Sequence, residues 1–184
     1  MEGGSVYNVF GCNNYFGAPQ NTVTVNINGG TVNFSEGEED GKEGNVYGGG
    51  NQAEYIAPEG SKDYPEVNIN NGTVTRDVFG GGLGQTATVT GNPHVTIGDD
   101  VEGHEVAIKW SVYGGGELAS VDGNTNIVVN SGTIGTPKNG ETVYGGVKYG
   151  NVYGGGLGSE DDVRIGLVKG NTEITVNGGT ILTT

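Results

Sequence analysis

Apolar and polar residues alternate along this chain in short phrases that recur from end to end. One phrase is Val25-Asn26-Ile27-Asn28-Gly29-Gly30-Thr31-Val32. It returns at residues 67–74, in degenerate form at residues 95–101, and again at residues 127–134 and 174–181. The period of two predicts a strand whose first and third residues face a core and whose polar middle residue faces water. Asn followed by Gly ends each run and predicts a bend, because both residues tolerate positive φ. A second phrase, Val-Tyr-Gly-Gly-Gly, stands whole at residues 46–50, 112–116 and 152–156, with Phe for Tyr at residues 78–82. A worn copy is Val9-Phe10-Gly11-Cys12-Asn13, and a truncated one is Val143-Tyr144-Gly145-Gly146. Weaker strand signals lie between them at residues 86–90, 118–121 and 163–168, followed by Gly91-Asn92, Gly123-Asn124 and Gly170-Asn171.

The valines that open the second phrase, Val9, Val46, Val78, Val112 and Val152, stand 37, 32, 34 and 40 residues apart. Internal repeats of this length indicate a solenoid or a propeller. A propeller blade needs about 40 residues or more and four antiparallel strands. Three strand signals per repeat fit the solenoid better. The predicted fold is therefore all-β, a single-stranded parallel β-helix of about five coils with three short strands each. Residues 1–184 form one such domain, a rod about 24 Å long at the usual strand spacing.

Composition sharpens this picture. Glycine numbers 39 and hydrophobic residues make up 33%, which in a scattered arrangement would suggest disorder. Here the glycines sit in fixed phrases beside β-branched residues, which favours tight turns between short strands. The formal net charge of −14 opposes nucleic acid as a partner, and no stretch is long and apolar enough for membrane insertion. Cys12 is the single cysteine, so no intrachain disulfide forms. No signal-peptide pattern opens the chain, and Thr184 follows directly on a repeat phrase. We expect a piece of a longer repeat protein whose signal and anchor lie outside this segment.

Stacked repeats place like residues on like. The valine column is the predicted inward ladder, which puts the neighbouring rings outside or at a corner. There Tyr47, Phe79, Tyr113 and Tyr153 cover the glycine backbone or offer a strip for stacking on sugar rings or a partner. Asn28, Asn70, Asn130 and Asn177, interrupted by Gly98, predict a structural amide ladder at one bend.

No cofactor is indicated by these patterns. The candidate ion is a weakly bound calcium, with Asp99, Asp100, Asp161 and Asp162 as its carboxylates. The Gly-Gly-Leu-Gly phrases at residues 81–84 and 155–158 lack the aspartate that a calcium-binding nonapeptide places two residues later. His94 and His104 lie too far apart for a matched zinc pair, and Cys12 has no activating partner in sequence. Acidic pairs such as Asp99-Asp100 invite comparison with glycosidase carboxylates, but basic residues do not cluster beside them. The threonines are too irregularly spaced for an ice-binding lattice.

The alternation of Asn/Ser-Val-Tyr-Gly-Gly-Gly with Gly-Asn-Thr-x-Ile-x-Val-Asn-Gly-Gly-Thr-Ile resembles the repeats of large, adhesin-type bacterial cell-surface or secreted proteins. The likeness covers nearly the whole chain outside the loops and is best over residues 151–181. It implies a right-handed parallel β-helix, an extracellular or bacterial cell-surface setting, and a structural or adhesive role without catalysis. The implied partners are a glycan or a host or cell-surface protein. Uncapped terminal coils would also favour end-to-end self-association. The alternative is a carbohydrate-binding or carbohydrate-active β-helix of the lyase or hydrolase kind.

Overall fold

A computed structural model of the chain describes residues 1–33, 44–136, 150–162 and 164–182. The truncated phrase at residues 143–146, most of the acidic run at residues 35–44, and Pro137, Lys138 and Val163 lie outside the described residues. Among those described, the regular structure is all strand, and every strand pairing is parallel.

The alternating phrase builds the largest sheet. Thr24–Val32 pairs with Glu66–Val74. Beyond that pair the phrase divides: Glu66–Val74 pairs through its first half with His94–Ile97 and through its second half with Val106–Ile108. The first row continues to Thr125–Val129 and Thr172–Val176, the second to Thr133–Ile134 and Thr180–Ile181. One phrase thus supplies two strand segments joined at a bend, where the expectation had one strand. The bend needs positive φ, found at Gly30 (86°), Gly72 (103°), Gly132 (93°) and Gly179 (85°).

The valine phrase builds the second sheet: Val9–Phe10, Val46–Tyr47, Val78–Phe79, Val112–Tyr113 and Val152–Tyr153 lie side by side in register. Tyr55–Ile56 and Val89–Thr90 form a third, continued by bridges from Val89 to Val121 and from Val121 to Val168. Successive repeats therefore occupy successive levels in every sheet. At each level Val or Ile from both phrases points into one core, which holds Ile27, Val46, Ile69, Val78, Ile97, Val112 and Ile127. Full burial of such a side chain contributes about 1.5–3 kcal/mol.

The third repeat departs from the sequence reading. Val101 does not supply its second strand and is exposed. Residues 98–105 form an excursion, and Ala107-Ile108 takes the place opposite Thr73-Val74 and Thr133-Ile134. The segment Val106–Ile108 is core strand.

The glycines of the second phrase serve closeness of approach. None of residues 48–50, 80–82 or 114–116 has positive φ. A Cβ on Gly48, Gly80 or Gly114 would meet the carbonyl oxygen of the first glycine on the next level. A Cβ on Gly82 or Gly116 would meet the carbonyl of Gly50 or Gly82, on the level before. Backbones of adjacent levels touch here, and any side chain would separate them.

Candidate functional site

The aromatic ladder forms, with ring centroids 4.7–5.0 Å apart from Phe10 through Tyr47, Phe79 and Tyr113 to Tyr153. Of the two expectations, a cover for the glycine backbone and a strip for stacking on sugar rings or a partner, the burial of Tyr47, Phe79 and Tyr113 opposes the strip. The chain lays Leu83 and Leu157, each five residues beyond a phrase valine, against the rings, and the Tyr47 hydroxyl donates to Glu117 Oε2. Burial first, then Glu117, holds the Tyr47 phenol far above its ordinary range. Burial, with Asp77 second, does the same for Tyr113. Three of the four rings thus have no open face for a sugar. Tyr153, on the last level, is 40% exposed.

The amide ladder is present in two pieces. Asn70 Nδ2 donates to Asn28 Oδ1 and Asn177 Nδ2 to Asn130 Oδ1, both at 2.9 Å. At the break, Asn130 Nδ2 donates instead to the Gly98 carbonyl at 3.3 Å.

The calcium candidates lie in two loops with other partners. Asp99 engages His104 Nδ1 through both carboxylate oxygens at 2.9 Å. Asp100 is exposed in the same loop. Asp162 accepts from Arg164 Nε at 2.9 Å, and that bond holds its carboxyl below the usual range. The Asp161 N–H donates to Ser159 Oγ. Among the described residues no three His, Cys, Asp or Glu side chains come together as a metal-holding group. Cys12 is half-buried, with burial pushing its thiol up to about 12, so at neutral pH it is not a thiolate.

Two features escape pattern reading. The first is a ladder at the residue before each phrase valine. Asn45 N–H donates to Asn8 Oδ1, Asp77 N–H to Asn45 Oδ1, Ser111 N–H to Asp77 Oδ1 and Asn151 N–H to Ser111 Oγ, at 2.8–3.3 Å. Each short side chain satisfies a backbone donor of the next level. The signal was in the sequence, since Asn, Asp or Ser precedes all five valines. Asp77 is buried there, and burial raises its carboxyl to about 7 against opposing help from the Ser111 N–H.

The second feature is a groove of about 450 Å³ at the edge of the first levels, where Tyr15 and Phe16 project above Gln20, Gln52, Glu54 and Thr86. No periodicity marks these rings. Another open groove, about 370 Å³ and polar, has Asp63, His94, Asn124 and Glu173 among its lining residues.

Comparison with protein-family models, with curated proteins and with solved structures finds no match to this chain.

Proposed function

We propose that the chain is a stretch of right-handed, single-stranded parallel β-helix serving as a non-catalytic structural and adhesive module of a bacterial cell-surface or secreted protein. One observation carries this reading: each of the five valine phrases contributes one rung to one parallel sheet and each alternating phrase contributes rungs to another, so that the repeats act as interchangeable layers of a scaffold. The likeness of the phrases to adhesin-type repeats supports the extracellular setting. The interior is filled by Val and Ile, which leaves chemistry to the exposed face and the loops. Incubation with a panel of polysaccharides tests the non-catalytic part. No new reducing ends and no unsaturated products are expected. Turnover that disappears on changing one loop carboxylate would overturn it in favour of a lyase or hydrolase.

Self-association through the last level belongs to the same proposal. The first level is overlaid by residues 1–7, whose carbonyls accept from Asn28, Thr31 and Asn33. The last level leaves Ile174 42% and Val176 51% exposed, although both continue the core columns of Ile127 and Val129. In this segment taken by itself, two copies meeting at these levels would cover both apolar patches and stop at a dimer. A dimer is expected in sedimentation at high concentration, and Val176→Lys should return it to monomer. A strict monomer at all concentrations, or an open-ended series of oligomers, would count against this arrangement.

The specific observation in favour of carbohydrate binding, the second reading, is the exposed pair Tyr15–Phe16.

A further inference from the structure

Phe16 is 86% exposed and Tyr15 58%. Their ring centroids lie 6.4 Å apart with planes inclined by 40°. Water-exposed rings of this size have a cost that a folded chain ordinarily avoids by packing them. These two are held outward by a braced turn. The Tyr15 N–H donates to the Asn51 carbonyl at 2.7 Å, Asn13 Nδ2 to the Phe16 carbonyl at 3.0 Å, and Asn51 Nδ2 to Asn14 Oδ1 at 2.8 Å. Tyr15 itself adopts φ 65°, a left-handed conformation that a bulky residue rarely takes. The turn is thus tied to the level behind it, so little ordering remains to be done on binding.

Below the rings the groove is polar. Gln52 and Thr86 are fixed to each other, since Thr86 Oγ1 lies 2.7 Å from the Gln52 carbonyl and 3.1 Å from its Oε1. Gln20 and Glu54 are exposed on the same groove. A pyranose matches this division. Its C–H face is apolar and rests on an aromatic ring, while its hydroxyls donate to carboxylate and amide oxygens and accept from amide N–H groups. A protein surface of apolar side chains would find only two rings and then a polar floor. A uronate, sulfated or phosphorylated glycan would meet Glu54 and the field of a chain with net charge −14.

We infer that the Tyr15–Phe16 groove is a binding site for a neutral glycan, with Phe16 as the stacking platform and Gln52 and Glu54 as hydroxyl partners. This rests on the adhesive reading and names the ligand class and the residues for it.

The test is an array of neutral oligosaccharides built from glucose, galactose, mannose, fucose and N-acetylhexosamines, with anionic glycans alongside, followed by calorimetry on the strongest binder. Binding to a neutral glycan is expected, weakened roughly tenfold by Phe16→Ala and retained by Phe16→Trp. Glu54→Ala should weaken it severalfold, and Tyr153→Ala should leave it unchanged. The Phe16 ring is exposed, so Phe16→Ala should melt with the wild type, which separates loss of the platform from loss of fold. Absence of binding to every neutral glycan, a preference for anionic ones, or equal affinity in Phe16→Ala would overturn the site. Those failures differ from polysaccharide turnover, which bears on the non-catalytic reading and not on this groove.

Discussion

Gly81→Ala should cost about 3 kcal/mol of stability, while Gly155→Ala, the same change at the same place in the phrase, should stay within about 0.5 kcal/mol of wild type. A Cβ on Gly81 would lie 2.7 Å from the Gly116 nitrogen and 2.9 Å from its Cα. Those are backbone atoms of the next level and cannot swing aside as a side-chain tip would. Gly115 repeats the situation against Gly156, so Gly115→Ala should behave like Gly81→Ala. At Gly155 a Cβ meets nothing within 4 Å, and its φ is not positive. The loss at Gly81 corresponds to a fall of about 6–12 °C in melting temperature for a chain of this size. Gly60→Ala separates the two uses of glycine. Gly60 has φ +81° with open space around it, so only left-handed strain of about 1 kcal/mol applies. Thermal and urea unfolding followed by circular dichroism would rank the variants. Equal losses at Gly81, Gly155 and Gly60 would show that the approach of adjacent levels does not explain the triple glycine, since lower backbone entropy of the unfolded chain would by itself favour alanine.

That ranking bears on what a sequence can reveal. The glycine triplet reads naturally as a turn, because Gly is the usual turn residue. In the structure it is the Asn-x-Gly bends of the alternating phrase, at Gly30, Gly72, Gly132 and Gly179, that have positive φ, and the triplet marks contact between levels that are 30–40 residues apart in sequence. Local pattern gives the strand period and hence the inward columns, so Ile27, Ile69 and Ile127 were legible as core. It does not say what covers the opposite face. The rings are covered by residues just beyond the triplets, where Leu83 and Leu157 pack on the ladder and Glu117 accepts from the Tyr47 hydroxyl, and that place is Asn51, Leu83, Glu117 and Leu157 in turn, so its chemistry does not repeat. The third repeat was misread for a related reason. Val101 arrives first in sequence, one residue short of the spacing of seven in the other copies, but the excursion of residues 98–105 delays the strand until Val106. The groove at Tyr15 and Phe16 belongs to an irregular turn, and irregular segments carry no period by which to find them.

Asp77→Asn should stabilise the protein at pH 8 and have little effect near pH 4. Asp77 occupies the middle of the side-chain ladder, where Asn45 and Ser111 flank it. Its Oδ1 accepts the Ser111 N–H at 2.8 Å, and an asparagine Oδ1 can do the same, as Asn45 does for Asp77. What asparagine removes is the buried charge. Burial raises the Asp77 carboxyl from 3.8 to about 7, Glu117 adds to the rise, and the Ser111 N–H and Arg76 oppose it. The folded state therefore holds this proton more tightly than the unfolded chain does. Stability from this group is complete below about pH 3.8 and is lost as pH rises through about 7. At 1.36 kcal/mol per pH unit the whole loss is about 4 kcal/mol. The wild type also becomes more repulsive as its other carboxylates ionise, so its pH profile alone cannot isolate Asp77. The difference between wild type and Asp77→Asn can, because the other carboxylates are common to both. That difference should be near zero at pH 4, grow between pH 4 and 7, and level off above. Parallel profiles across this range would mean that Asp77 ionises in place without penalty, with Arg76 and the Ser111 N–H balancing desolvation. Stability lost in the asparagine variant at every pH would instead assign the carboxylate a bond that an amide cannot replace.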